Sequence, residues 1–229
     1  MLEVKNLQAF YGESIILKNI NLDVQEGRIV CLLGRNGVGK STFLKSIMGL
    51  VNTPCGSIRL QGSEIIDQPT YARARAGIGY VPQGRDIFPH ISVKENLQLG
   101  LEVNNGKGNI PPEVYELFPI LKEMLARKGG NLSGGQQQQL AIARALVAHP
   151  KLLMFDEPTE GIQPSIIKDI GKVILHLKKE GYTILIVEQY LEFILDIADY
   201  YYVMDKGTIV AQGFVYDMDK ETIQHKISI

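Results

Sequence analysis

A glycine-rich segment with one lysine carries the strongest chemical signal in this sequence. Residues 34–41 read Gly-Arg-Asn-Gly-Val-Gly-Lys-Ser and fit the pattern G-x-x-x-x-G-K-[ST]. Glycines in such a loop leave backbone N–H groups open to phosphate oxygens, Lys40 would neutralise β and γ oxygens, and Ser41 would offer its hydroxyl to Mg²⁺. The candidate nucleotide-binding residues here are Gly34, Arg35, Asn36, Gly37, Val38, Gly39, Lys40, Ser41 and Thr42.

Two adjacent carboxylates, Asp156 and Glu157, follow an apolar run at residues 152–155. A phosphate-binding loop needs a second anchor for Mg²⁺ and a group that activates water. Asp156 would hold the metal ion directly or through water, and Glu157 would orient or deprotonate the attacking water. Alone, an acidic pair after a strand is also typical of a helix cap. Its combination with the glycine-rich loop favours the catalytic interpretation.

A second candidate anion-binding helix start lies at residues 132–136, Leu-Ser-Gly-Gly-Gln. Ser133 stands where an N-cap is expected, and Gly134 and Gly135 leave the first backbone N–H groups of the helix uncovered. Together with Gln136, these residues are candidates for contact with a nucleotide. The alternative is a capped helix that follows a loop and binds no ligand.

The elements that must position these residues alternate between strand and helix. Continuous apolar runs indicate strands buried on both faces, and segments with helical spacing lie between some of them. The predicted strands are Ile29–Leu33, Ile78–Val81 and residues 152–155, 183–187 and 200–204, and the predicted helices are Lys40–Met48 and residues 165–179 and 191–198. This order predicts an α/β fold with an open, doubly wound parallel sheet.

The region between residues 91 and 148 departs from that alternation because it contains no buried-strand run. Helical spacing recurs at residues 93–101, 113–125 and 136–148. We therefore expect an inserted helical subdomain at 91–148, within a nucleotide-binding core formed by residues 1–90 and 149–229.

Antiparallel pairing is indicated near both ends of the chain. Residues 2–7 alternate between apolar and polar side chains, and a second strand is predicted at residues 15–24. Residues 205–207 read Asp-Lys-Gly between two strand-like runs, which predicts a hairpin turn at the edge of a sheet.

Composition narrows the class of protein. The 229 residues are 45% hydrophobic and 21% charged, and the formal net charge is −1. These values are typical of a folded domain and lack the basic excess that nucleic-acid binding needs. The longest apolar stretches are far shorter than the roughly 18 residues that mark a membrane span, so a link to a membrane is expected only through partners.

The start of the chain and its two cysteines indicate the compartment. Residues 1–5 alternate as in a strand and show no basic segment followed by an apolar one, which predicts a cytoplasmic location. Cys31 and Cys55 are too few and too unpatterned for a disulfide framework or a zinc site.

The glycine-rich loop, the segment 132–136 and the acidic strand end occur in an order that resembles the ATP-binding cassette of ABC transporters. The resemblance covers essentially the whole chain. It implies a P-loop NTPase core with an N-terminal antiparallel β subdomain and an inserted helical subdomain, together one ABC ATPase domain at 1–229. It also implies that the segment 132–136 of one chain closes over the ATP that a second cassette holds.

The same resemblance assigns roles to residues that the motifs alone leave open. It implies that Tyr11 stacks on adenine, and that Gln83 contacts Mg²⁺ and couples the site to a membrane subunit. A strand-end tyrosine and a polar loop residue are the respective alternatives. Residues 84–91 lie where members of the family receive a permease helix. The implied metal ligands are Ser41, Gln83 and Asp156.

Two positions depart from the common pattern of that family. Gln189 stands where most cassettes carry a histidine, so an uncharged amide would meet the γ-phosphate or the attacking water. Gln163 lies in the loop that usually ends in aspartate. The sequences around Gln163 and Gln189 resemble those of the ATPase branch that serves branched-chain amino acid and amide importers. Within that branch, the ATP-binding subunits of urea importers are most similar at residues 31–40, 136–139 and 160–165.

The resemblance implies an ATPase that binds ATP and Mg²⁺, with Glu157 and Gln189 as catalytic residues, and that energises uptake of urea or short amides. It implies a second cassette chain, identical or related, two transmembrane permease subunits, an extracytoplasmic substrate-binding protein, and a position on the cytoplasmic face of the membrane. Three alternatives stay open: branched-chain amino acids as cargo, a soluble cassette without a permease, and a regulatory cassette that binds ATP without hydrolysing it.

Overall fold

The computed structural model describes residues 1–228, which form two sheets with helices packed around them. The strands are β1 Leu2–Tyr11, β2 Ser14–Val24, β3 Ile29–Leu33, β4 Asn52–Leu60, β5 Ser63–Glu64, β6 Ile78–Val81, β7 Leu152–Asp156, β8 Thr183–Glu188, β9 Tyr200–Asp205 and β10 Thr208–Phe214. The helices are α1 Lys40–Met48, α2 Thr70–Arg75, α3 Val93–Gln98, α4 Pro112–Leu117, α5 Pro119–Glu123, α6 Gly134–Leu146, α7 Pro164–Lys179, α8 Leu191–Ile197 and α9 Lys220–Ser228.

The central sheet has the strand order β10-β9-β3-β8-β7-β6. Its neighbouring strands are parallel from β9 to β6, and β10 pairs with β9 in the antiparallel direction. Every predicted buried strand is present, which confirms the α/β fold. Three of them run one residue further than predicted, and the added residues Asp156, Glu188 and Asp205 are all acidic. Hydrophobic patterning ends a strand at its first charge, whereas backbone pairing continues past it.

Alternate residues of the central strands enter two separate hydrophobic cores. Cys31 and Phe155 face the core that contains α3, α6, α7 and α8, whereas Leu32 and Met154 face the core that contains α1 and the N-terminal sheet. Both faces of the sheet are therefore covered, which explains why β3, β7 and β8 are buried along their whole length.

The N-terminal sheet has the order β2-β1-β4-β5 and is antiparallel. The pairing of β1 with β2 agrees with the predicted strands, but β4 and β5 were not predicted. Pro54 and Gly56 interrupt the pattern of β4. A side chain on Gly56 would come within 2.7 Å of the Leu7 Cα, so this glycine allows β4 to approach β1 closely.

The helical region differs in detail from the three predicted helices. The first segment is α3 followed by a 3₁₀ turn at Leu99–Asn104, and the last begins at Gly134, directly after the expected N-cap Ser133, and ends at Leu146. The middle segment is split into α4 and α5, because Phe118 precedes Pro119 and has φ −130° and ψ 67°, outside the helical range. The side chains of α3 and α6 join the same core as the sheet. The limits of a subdomain at 91–148 stay a prediction.

The predicted hairpin near the C-terminus is confirmed. Asp205 and Thr208 are paired across the turn, and Lys206 and Gly207 both have positive φ, at 45° and 77°. Two consecutive residues with positive φ are typical of the tight turn that matches the twist of antiparallel strands.

Candidate functional site

The glycine-rich loop joins the end of β3 to the start of α1 at the C-terminal edge of the central sheet. Gly39 is the N-cap of α1 with φ 115°, and Gly37 has φ 81°, values that residues with side chains rarely adopt. Lys40 is buried, and its Nζ donates hydrogen bonds to the carbonyl oxygens of Gly34 at 2.7 Å and Arg35 at 3.0 Å. The ammonium group therefore curls back over the loop.

Lys40 also contacts Glu157, which follows the last residue of β7. Its Nζ lies 2.9 Å from Glu157 Oε1, and both side chains are almost fully buried. Glu157 Oε2 is buried as well, and no donor within residues 1–228 reaches it. Glu157 has φ 47°, a left-handed conformation that costs free energy in a residue with a side chain. The structure thus holds the Glu157 carboxylate against the lysine of the loop, on a backbone in an unfavourable conformation.

Asp156 is the second carboxylate of the site. Its Oδ1 accepts a hydrogen bond from Ser41 Oγ at 2.8 Å, and its Oδ2 accepts one from the Tyr80 hydroxyl at 3.0 Å. Burial raises the pKa of Asp156 above its ordinary value, although the two hydroxyl donors act in the opposite direction. Burial, with the nearby Asp156 carboxylate, also raises the pKa of Tyr80. Tyr80 was not predicted, because its contact with Asp156 depends on β6 and β7 being neighbours in the sheet.

These residues fit phosphate groups and Mg²⁺. The loop supplies backbone N–H groups at the start of a helix together with one lysine, which are the donors that phosphates require. Ser41 and Asp156 already lie within hydrogen-bond distance and are hard oxygen ligands, which Mg²⁺ prefers. The unpartnered oxygen of Glu157 offers a base beside them.

A cleft of about 430 Å³ opens over this loop. Its lining residues are Tyr11, Ile16, Asn36, Gly37, Gly39, Lys40, Ser41, Thr42, Gln83 and Glu157. The structure therefore brings two residues from distant segments, Tyr11 and Gln83, to the predicted loop. Tyr11 is half exposed, as a side chain that stacks on a flat ligand must be. Gln83 Nε2 donates to Glu160 Oε2 at 2.9 Å, which ties the segment after β6 to the loop after Glu157.

Gln189 follows β8 and has an exposed side chain that does not line this cleft in the described part of the chain. Gln189 does not cap the following helix. The N-cap of α8 is Tyr190, and it makes no side-chain capping hydrogen bond. A role for Gln189 toward a nucleotide stays a prediction.

Glu188, the last residue of β8, was not predicted as a site residue. Its carboxylate is buried and accepts hydrogen bonds from Thr159 and from the backbone of Gln189 and Tyr190. Burial raises the pKa of Glu188 above its ordinary value, against the effect of these donors. A charged residue that directly follows an apolar run was the signal that could have identified it.

Residues 133–136 do not line the cleft of their own chain. Ser133 Oγ accepts from the Gln136 N–H at 3.4 Å, and Gln136 Oε1 accepts from the Ser133 N–H at 2.9 Å, which forms a capping box at the start of α6. Side chains at Gly134 or Gly135 would come within about 3.2 Å of Arg85 or 3.0 Å of Ile166, so both glycines also serve close packing. The start of α6 is therefore capped as expected, and a contact of residues 133–136 with nucleotide stays a prediction that involves the cleft of another chain.

The segment 84–91 exposes one large apolar side chain. Phe88 is 51% exposed, and the Arg144 guanidinium lies 5.4 Å from the centre of its ring. A groove of about 390 Å³ adjoins Phe88 and is lined by residues of β6, α6 and the 3₁₀ turn that follows α3. Within residues 1–228, none of the helices has both the length and the apolar character needed to cross a bilayer.

Comparisons with known proteins agree on one family. The family model described as ABC transporter matches residues 17–160. The chain is 40% identical over 218 residues to the high-affinity branched-chain amino acid transport ATP-binding protein BraG of Pseudomonas aeruginosa, covering 92% of this chain and 91% of that protein. It is 38% identical to the probable branched-chain amino acid transport ATP-binding protein LivF of Archaeoglobus fulgidus, covering 93% and 92%.

A third relative has another transport role. The lipopolysaccharide export system ATP-binding protein LptB of Escherichia coli is 35% identical, covering 93% of this chain and 90% of that protein. Among solved structures, the ADP conformation of the cassette MJ1267 has a TM-score of 0.84 at 29% identity and covers 98% and 97% of the two chains. The dimeric post-hydrolysis state of the cassette MJ0796, bound to ADP and Pi, has a TM-score of 0.83 at 27% identity, covering 94% and 99%.

Proposed function

Because this chain belongs to the ABC transporter family and is an ATPase whose activity is coupled to transport, we propose that the cleft around Lys40 is where ATP binds and is hydrolysed. The observation that supports this site is the convergence of Lys40, Ser41, Asp156 and Glu157 from two strand ends. A cation, two metal ligands and a carboxylate base within one cleft are the parts that phosphoryl transfer to water requires.

Each residue of the cleft has a proposed task. The N–H groups of residues 34–41 and the Lys40 ammonium hold the phosphates, and Ser41 and Asp156, with Gln83 nearby, hold Mg²⁺. Mg²⁺ held there would supply positive charge to the phosphate oxygens. Glu157 Oε2, which is not engaged with Lys40, accepts the proton of the attacking water.

We propose that the active form is a pair of cassettes. The start of α6 does not line the cleft of its own chain, so a partner's nucleotide is the anion that the N–H groups of Gly134 and Gly135 would meet. The similarity to the dimeric MJ0796 cassette supports this arrangement. The partner is a second copy of this chain or a related cassette.

For the cargo, the relatives favour branched-chain amino acids over urea. Two of the relatives described above, at 40% and 38% identity, carry the name of branched-chain amino acid transport. We therefore propose that this chain energises an importer for branched-chain amino acids, through two permease subunits and an extracytoplasmic binding protein, from the cytoplasmic face of the membrane. Urea or a short amide is the second candidate, which the sequence of residues 160–165 favours.

An uptake experiment separates these cargoes. Cells that lack this chain are complemented with the native protein or with Glu157→Gln as the matched inactive control, and uptake of labelled leucine and labelled urea is measured. We expect native protein, but not the variant, to restore leucine uptake. Restored urea uptake with no change for leucine would reverse the choice of cargo, and restoration of neither would contradict an importer of this branch.

A further inference from the structure

Four donors converge on the Glu188 carboxylate at the end of β8. Oε1 accepts from the Thr159 backbone N–H at 3.1 Å and from Thr159 Oγ1 at 2.7 Å. Oε2 accepts from the N–H groups of Gln189 at 3.0 Å and Tyr190 at 3.2 Å. Glu188 itself is 1% exposed. Each oxygen is therefore committed to a different loop.

The two loops are those that carry the proposed catalytic residues. Thr159 lies two residues after Glu157, and the Glu157 N–H donates to the Val187 carbonyl oxygen at 3.0 Å. The Glu160 N–H closes the turn on the Glu157 carbonyl oxygen at 3.1 Å. A residue at φ 47° keeps that conformation only when its surroundings hold it, and the bonds that the Glu157 N–H and Thr159 make to β8 provide that hold.

We propose that Glu188 is a positioning residue that fixes the loop of Glu157 and the loop of Gln189 relative to each other. The inference rests on the catalytic roles proposed above for those two residues. Glu188 touches no reacting atom in this arrangement. It affects the rate by keeping the catalytic groups in place, because a displacement of about 1 Å in a catalytic group can lower a rate about a hundredfold.

A carboxylate is the group that this position requires. It accepts at both oxygens, whereas a glutamine amide accepts at one end only and would turn an N–H₂ group toward either Thr159 or the two backbone donors. Aspartate is one methylene shorter and cannot reach both loops in the observed geometry. A purely structural role would also need these bonds satisfied, so stability alone does not test the proposal.

The test is steady-state ATP hydrolysis by the purified full chain with saturating Mg²⁺, with Tm measured on the same samples. We expect Glu188→Gln to lower kcat about tenfold to a hundredfold while KM for ATP changes less than about threefold, because phosphate binding by the Lys40 loop is untouched. Asp199→Asn is the matched control, since it neutralises a hydrogen-bonded carboxylate at the opposite end of the sheet. We expect a lower Tm for this control, with kcat unchanged.

A second pair of variants tests the same network without changing the buried charge. Thr159→Val removes the Oγ1 donor and Thr159→Ser retains it, so kcat should fall in the first variant and stay near the native value in the second. Unchanged kcat in Glu188→Gln would overturn the positioning role. If Glu188→Gln does not fold, unchanged kcat in Thr159→Val would overturn it. If Glu157→Gln abolishes hydrolysis in that same case, the proposed site stands and only this inference fails.

Discussion

Lys40 contacts the carbonyl oxygens of Gly34 and Arg35 in the glycine-rich loop and also the proposed base, Glu157. This one side chain is therefore expected to affect both nucleotide binding and hydrolysis. Its Nζ lies 2.7 Å from the Gly34 carbonyl oxygen and 2.9 Å from Glu157 Oε1. The carbonyls shape the loop, whereas the carboxylate would compete with phosphate oxygens for the same cation. Lys40 is therefore expected to strengthen nucleotide binding, whereas the charge of Glu157 is expected to weaken it.

Lys40→Ala should weaken MgATP binding about a hundredfold or more, because it removes charge-assisted bonds to the phosphates and leaves Glu157 buried without its cation. Calorimetric titration with ATP measures this. Lys172→Ala, an exposed change on α7, is the control and should bind normally. Near-native affinity in Lys40→Ala would show that the loop is not the main phosphate site.

Glu157→Gln should lower kcat about a hundredfold or more, since a positioned general base is removed. Its affinity for ATP should equal or exceed the native value, because the competing negative charge beside Lys40 is gone. Single-turnover hydrolysis and ATP titration on the same sample check both parts. Hydrolysis at the native rate would refute the role of Glu157. It would also exclude the alternative of a cassette that binds ATP without hydrolysing it.

Gln189 differs from histidine in that an amide does not titrate near neutral pH. Gln189→Ala should slow turnover about tenfold to a thousandfold, the range for loss of one transition-state donor, with little change in Tm because the side chain is exposed and does not cap α8. Gln189→His should add a pH-dependent limb between about pH 6 and 8 that the native enzyme lacks. Rate profiles at saturating MgATP test this, and an unaltered rate in Gln189→Ala would remove Gln189 from the mechanism.

At the scale of elements, α3 and α6 begin with the same N-terminal capping motif. Ser92 with Glu95, and Ser133 with Gln136, each form a capping box. The two caps should contribute similar stability, yet only the second lies in the segment proposed to meet a partner's nucleotide. The chain thus contains its own control for separating a structural from a functional helix start.

Ser133→Ala and Ser92→Ala should each lower the free energy of unfolding by about 1 kcal/mol. In a Glu157→Gln background, Ser133→Ala alone should reduce the association that MgATP induces, because it removes a hydroxyl from the proposed interface. Light scattering with ATP and with ADP, beside thermal melts, measures both effects. Equal loss of association in the two variants would attribute it to stability instead.

At the scale of the whole molecule, Asp199 ties the far end of the central sheet to α7. Its carboxylate accepts hydrogen bonds from the Ile29 N–H at 2.9 Å and from Lys178 Nζ at 2.7 Å. Burial alone would raise the pKa of Asp199, but the donors and the positive charges of Lys178 and Arg28 outweigh it and hold this pKa below the ordinary value of 3.8.

Asp199→Asn should lower the free energy of unfolding by about 1–2 kcal/mol at pH 7. Since the folded-state pKa is depressed, the native advantage is fully present above the unfolded pKa and is lost as pH falls through the folded one. Urea unfolding at pH 7, 5 and 3 should give equal differences at the first two and a smaller one at the third. A difference that grows on acidification would contradict this assignment.

The sequence by itself determined the glycine-rich loop, the acidic strand end and the central strands. Each depends on local physics: glycines that permit a tight loop at 34–41, and apolar runs such as Ile29–Leu33 that need cover on both faces. The family comparison also confirmed what those local patterns implied about the ATPase fold. The hydrophobic pattern predicted the secondary structure least well where Pro54 and Pro119 change the backbone, in β4 and between α4 and α5.

Only the tertiary structure decided which distant groups meet. Tyr80 reaches Asp156 because β6 and β7 are neighbours, and Glu188 reaches Thr159 because β8 lies beside β7. Neither contact has a sequence spacing that could reveal it, since strand order in a sheet is set by packing of the whole chain. Local residue types fix which chemistry is available, whereas the order of the strands fixes which of those groups act on each other.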